Sequence, residues 1–136
     1  MKLIVDSNRI LSALIKDGLT RKILSSEQFE FYTLDYVLDE VAQYKEYVVK
    51  KSGMNIEQVE LLFVLLLQNI IIISDDRIKS KMIEAIKIME NIDIDDSPIL
   101  ACALAIQNDG IWTEDKHFQK QNKVKVWKTE DLVRIL

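Results

Sequence analysis

Five short apolar runs recur along the chain, each too brief for a helix and each separated from the next by a stretch of helical periodicity. They are "KLIV" at 2–5, "FEFYTL" at 29–34, "NIIII" at 69–73, "IWT" at 111–113 and "VKVW" at 124–127. Between them, Ile10, Leu11, Leu14 and Ile15 repeat at helical spacing, with Gly18 as a stop signal. A short helix is expected over 20–26. "DYVLDEVAQYKEYVVKK" predicts one long amphipathic helix closed by Gly53, and "NIEQVELLFVLLLQ" predicts a second. Ile78, Met82, Ile83, Ile86 and Met89 mark another, and "SPILACALAIQNDG" predicts a helix buried nearly all round and closed by Gly110. "EDKHFQK" and "TEDLVRIL" complete the series as short helices. Strands alternating with helices from end to end imply an α/β fold, a mostly parallel sheet of about five strands with helices on both faces.

The 136 residues suffice for one compact domain spanning 1–136. Cys102 is the only cysteine, so no intrachain disulfide forms and a reducing compartment is expected. The opening "MKLIVDSN" is too short for a signal-peptide core, and the longest apolar run, "LLFVLLL", falls far short of the roughly 20 residues of a spanning helix. The expectation is a cytoplasmic protein without a membrane partner. The net charge of −4 argues against holding nucleic acid through a bulk positive field. It leaves room for a site whose positive charge comes from divalent cations.

Acidic residues fall where such a site would form. In open α/β sheets, sites lie beyond the carboxyl ends of the strands. Asp6 immediately follows the first strand, Asp115 sits just after "IWT", and Asp96 opens the apolar helix leading into that strand. Each aspartate alone also reads as a helix-capping residue. Pro98 fits the first turn behind a Ser97 cap, which leaves Asp95 and Asp96 outside without a capping duty. Glu40 sits on the edge of the stripe formed by Val37, Val41, Tyr44 and Val48, between Tyr44 and Tyr47 on the helical wheel. A glutamate there needs a partner, either a cation such as Arg9 or Lys116 or a shared site. Carboxylates about 5 Å apart repel by roughly 3 kcal/mol at an effective dielectric near 20, so a cluster needs a cation or a proton. With one histidine and one cysteine in the chain, oxygen ligands favour Mg²⁺ or Mn²⁺ over zinc. Such a cluster suits phosphodiester hydrolysis.

With these residues in view, the sequence resembles the PIN-domain family of ribonucleases, which includes VapC-type toxins. "LIVDSNRILSAL" resembles the family's opening strand and Asp-(Ser/Thr)-Asn, giving Asp6, Ser7 and Asn8. Glu40 in "VLDEVAQY", Asp96 in "DDSPILACALA" and the pair Thr113 and Asp115 in "WTEDKHF" match the remaining motifs in order. The resemblance implies a Rossmann-like sheet and metal-dependent cleavage of single-stranded RNA. It implies that Asp6, Glu40 and Asp96 are catalytic metal ligands and that Asp115 completes or supports the set. It implies that Ser7, Asn8 and Thr113 surround them, with Asn8 and Thr113 orienting carboxylates by hydrogen bonds. It also brings possible partners: an antitoxin protein, and a second copy in a homodimer, for which the "LLFVLLL" helix is the candidate contact unless that helix is wholly buried.

Asp95 is the alternative to Asp96, whose register against the buried helix is better. Arg9 stands where the family usually has an aliphatic residue, within reach of the acidic pocket or an RNA phosphate. Cys102, Trp112 and Trp127 read as packing residues, and His117 as an exposed histidine. Two other readings remain: a catalytically silent RNA-binding or scaffolding member of the same fold, and a phospho-receiver domain. The receiver would want paired acids after the first strand, where this chain has Asp6 followed by Ser7 and Asn8.

Overall fold

A computed structural model describes all residues, 1–136. The five apolar runs become β1 (Lys2–Val5), β2 (Glu30–Leu34), β3 (Ile70–Ile73), β4 (Gly110–Trp112) and β5 (Val126–Trp127). Every pairing between them is parallel, in the order β3-β2-β1-β4-β5. Strand β1 lies at the centre, with Leu3, Ile4 and Val5 fully buried. The order places β2 and β3 on one side of β1 and β4 and β5 on the other. The sheet thus has a topological switch point between β1 and β4, where a crevice opens beyond the strands' carboxyl ends. A phospho-receiver of the flavodoxin-like type has the order 2-1-3-4-5, so the strand order removes that reading.

The helices are α1 (Ser7–Ile15), α2 (Leu19–Leu24), α3 (Asp35–Gln43), α4 (Lys45–Ser52), α5 (Ile56–Leu67), α6 (Lys79–Met89), α7 (Ser97–Ala105) and α8 (Thr129–Val133). Around α1 pack α2, α3, α4 and α5, while α6 packs on α7 and α7 on β1 and β2. One apolar cluster of 30 buried residues joins sheet and helices. No helix is long and apolar enough to cross a membrane.

Four expectations need correction. The long helix over 35–51 is two, broken at Tyr44, whose N–H turns back to the carbonyl of Val41 at 3.0 Å and whose φ and ψ are −96° and 12°. No proline or glycine marks this break in the sequence; its effect is to let α4 pack against both α1 and α5. Gly18 caps the start of α2 rather than the end of α1. Gly110 is the first residue of β4, with φ of 138°, and a Cβ there would meet the Lys125 carbonyl at 2.5 Å. What closes α7 is Asn108, whose Nδ2 donates to the carbonyls of Ala103 and Ile106, both at 2.8 Å. The expected helix over 114–120 shrinks to one 3₁₀ turn, Phe118–Lys120.

Helix α5 is neither wholly buried nor an ordinary surface helix. Val59 and Leu66 enter the core, while Leu61, Val64 and Leu65 are exposed, Leu61 by 61%. An asparagine–glutamine capping box at Asn55 and Gln58 starts it.

Candidate active site

Asp6 is the fixed point of the site because it leaves the central strand and enters α1 in one step. As N-cap of α1 it accepts the Arg9 backbone N–H on Oδ1 at 3.2 Å. Its other oxygen accepts the Thr113 hydroxyl at 2.6 Å, a bond that ties the end of β1 to the end of β4 across the switch point. Thr113 is fully buried, and its Oγ1 accepts the Asp115 backbone N–H at 3.0 Å. One hydroxyl therefore holds one acid directly and the backbone of another. Capping and site membership, alternatives in the sequence, coexist at Asp6.

The second wall comes from "NIDIDDSPI". Asp93 caps a 3₁₀ turn over Ile94–Asp96, accepting the Asp95 backbone N–H on Oδ1 at 3.1 Å. That turn feeds straight into α7, so Asp96, not Ser97, occupies the N-cap position, and its side chain makes no capping bond. Ser97 lies buried with its hydroxyl unpartnered. The Asp96 carboxylate is free to face the cleft, half-buried, while Asp95 lines the same cleft exposed.

Asp6, Glu40, Asp96 and Asp115, together with Ser7 and Asn8, line one cleft of about 390 Å³. Glu40, from α3, forms no ion pair with Arg9 or Lys116 and stands in the cleft wall. Asn8 is exposed at the rim and makes no side-chain hydrogen bond, so of the two expected orienting residues only Thr113 holds a carboxylate here. Arg9 turns its guanidinium over the Trp112 ring, 5.9 Å from its centre, and donates from Nη1 to Thr129 Oγ1 at 3.3 Å.

Electrostatics report the crowding. Burial pushes the Asp6 carboxyl above its usual range, against the pull of Thr113 and the Arg9 N–H. Asp96 is pushed up to about 6, by burial first and then by Asp115 and Asp93, with His117 opposing. Tyr36 is pushed up by burial first, then by Glu40, Asp96 and Asp6, which places three acids around one phenol.

Sequence reasoning passed over Tyr36 and Asp93 and read His117 as an exposed histidine, whereas the structure half-buries it among the acids. The Asp115 carboxylate accepts the His117 backbone N–H at 2.9 Å, and this turn swings the ring inward. Its Nδ1 then lies 3.1 Å from Asp93, 3.3 Å from Asp96 and 3.4 Å from Asp115. Ligand atoms of Asp93, Asp96 and His117 all fall within 4.8 Å of one another. The spacing of His117 from Asp115 was visible in the sequence, but nothing there indicated Asp93.

The donor chemistry fits a hard divalent cation: carboxylate oxygens from four separate elements, with one imidazole at the edge. Two of these carboxyls hold their protons more tightly than in water, through burial first and neighbouring acids second. A family model described as PIN domain matches residues 4–135. Among curated proteins the chain finds no match.

Proposed function

The chain belongs to the PIN-domain family, whose members are generally nucleases, and from that premise we propose that it is a metal-dependent endoribonuclease acting on single-stranded RNA. The observation that supports this reading is the convergence of Asp6, Glu40, Asp96 and Asp115 on one cleft at the β1–β4 switch point. These four residues are the proposed ligands of Mg²⁺ or Mn²⁺. When bound, such a cation shields the attacked phosphate and makes a water more acidic. Thr113 keeps Asp6 in place before the cation arrives, so little reorganisation accompanies binding. Asp96, whose proton leaves near pH 6, offers an ionised oxygen at neutral pH.

The proposal extends to the toxin half of a toxin–antitoxin pair, with a protein antitoxin as partner, and to a homodimer through the exposed Leu61, Val64 and Leu65 of α5. Rescue of growth by a co-expressed neighbouring gene tests the first. A shift to monomer in Leu65→Glu, read by light scattering, tests the second.

The decisive experiment is cleavage of mixed single-stranded RNAs with Mn²⁺ or Mg²⁺, with EDTA, and with Asp96→Asn. Cleavage lost in both controls is expected. Absence of cleavage by the wild type with either metal, together with no Mn²⁺ binding by calorimetry, would overturn the nuclease reading and leave a silent RNA-binding module.

A further inference from the structure

Two tyrosines stand where packing does not need them. Tyr44 occupies the break between α3 and α4 and Tyr47 the first turn of α4; they are 48% and 49% exposed. Their rings meet edge to face at 6.3 Å, and the Lys51 ammonium lies 5.7 Å from the Tyr47 ring centre. Neither hydroxyl is used in a hydrogen bond within the chain, so burial and hydrogen bonding leave both rings unexplained. Both line the acidic cleft.

Tyr47 also belongs to a second groove of about 370 Å³ that adjoins the first. The two grooves share Asn8, Leu11, Tyr47 and Asp115, so together they form one path with Tyr47 at the junction. The second groove contains Arg9, the only cationic side chain lining either one. Packing on Trp112 and the bond to Thr129 hold that guanidinium in place, with its Nε buried and only the terminal nitrogens left for a ligand. A pre-positioned fork of N–H donors suits a phosphate. An exposed aromatic face suits an unpaired base, which stacks without regard to its identity.

We propose that this path is the substrate track: an unpaired base stacks on the Tyr44–Tyr47 pair at the junction while a neighbouring phosphate of the same strand is held by Arg9. The inference rests on the nuclease reading and adds to it how the strand is bound. A duplex cannot offer an unstacked base to Tyr47, so the track selects single strands. Tyr47 and Arg9 position the strand; the acids act on the phosphate between.

The test uses one short single-stranded RNA, intact and with single abasic nucleotides on either side of the cut. Cleavage in Mn²⁺ is followed for wild type, Tyr47→Phe and Tyr47→Ala, and binding in Ca²⁺ by fluorescence anisotropy. Tyr47→Ala is expected to raise KM about tenfold with kcat nearly unchanged, and Tyr47→Phe to behave as wild type. An abasic nucleotide at one position should erase the difference between wild type and Tyr47→Ala, which a merely structural tyrosine would not permit. Arg9→Gln should flatten the slope of log affinity against log salt by about 0.7, and Arg9→Lys should restore it. Cleavage by wild type with unaltered KM in Tyr47→Ala, or an alanine effect that survives every abasic substitution, overturns the track and leaves the nuclease reading intact. Tenfold weaker binding in Tyr47→Ala without cleavage by the wild type overturns the nuclease reading and, with it, the role of the path as a substrate track, leaving a strand-binding groove. Failure of the wild type both to bind and to cleave overturns both.

Discussion

The two walls of the cleft hold their acids in opposite ways. On the sheet side, Asp6 is 8% exposed and has both oxygens engaged, one by a helix N-terminus and one by Thr113. On the α7 side, Asp96 is only half-buried, makes no capping bond, and sits beside Asp93 and Asp115 with the imidazole of His117 among them. The first wall is fixed by hydrogen bonds that come with the strands. The second is a concentration of like charge whose balance depends on what cation or proton joins it. On the proposed metal-dependent reading, a site built this way has one acid already in position and others whose repulsion a cation would relieve.

Removing charge from the second wall sets the two apart most sharply. Asp96→Asn is expected to lower cleavage roughly a thousandfold, because it removes a proposed ligand of the cation that shields the attacked phosphate. The same change should raise the melting temperature of the EDTA-treated protein at pH 7.5, because it deletes a carboxylate that the fold resists ionising. A variant that loses both activity and metal-free stability would contradict the contrast. Thr113→Val, on the first wall, should instead lower the metal-free stability. Without the hydroxyl, a buried carboxylate and the Asp115 N–H lose a partner, at a cost of about 1–3 kcal/mol. Mn²⁺ affinity should fall by about 10–100-fold, read by calorimetry.

The first wall was far more legible in the sequence than the second, for a physical reason. Asp6 follows a run that can only be a buried strand, so its position at the sheet's carboxyl edge is fixed by a single residue step. For Glu40 the helical angle indicated only the edge of the buried side that Val37 and Val41 define, with a cation partner or a shared site both open; the resemblance chose the site. Thr113 came from family resemblance, not from any period. The second wall depends on chain paths that carry no period at all: a 3₁₀ turn at Ile94–Asp96 and an aspartate-capped turn that brings His117 back to Asp93. The break at Tyr44 was likewise hidden, because Val37, Val41 and Val48 keep helical phase across it. Two short helices with a tertiary junction and one long helix give the same stripe.

The raised proton affinity of the second wall has consequences for both stability and metal binding. Asp96 ordinarily loses its proton near 3.8 and here near 6, so the native state binds more protons than the unfolded chain between those values. Its contribution to metal-free stability is therefore present at low pH and lost as pH rises through about 6; Asp6, also raised, acts with the same sign. Thermal unfolding in EDTA should show the Asp96 loss between pH 4 and pH 7. A cation competes with the Asp96 proton, so Mn²⁺ affinity should weaken about tenfold for each pH unit below 6 and level off above it. Asp96→Asn should flatten that limb of the profile along with its weaker affinity.

The smallest expected effect isolates His117. Among the groups around Asp96, the imidazole alone pulls its proton affinity down, while burial, Asp115 and Asp93 push it up. His117→Ala deletes the opposing influence and leaves the three others, so the Asp96 carboxyl should titrate above about 6 when followed by carbon NMR of labelled aspartate. The metal-free protein should then lose its stability at a correspondingly higher pH. The Asp6–Thr113 bond lies on the other wall and has no contact with the imidazole, so the Asp6 resonance should keep its titration unchanged. A parallel shift of both aspartates would mean that the walls are electrostatically one unit. A shift confined to Asp96 means that the imidazole adjusts the second wall without disturbing the acid that the sheet holds in place.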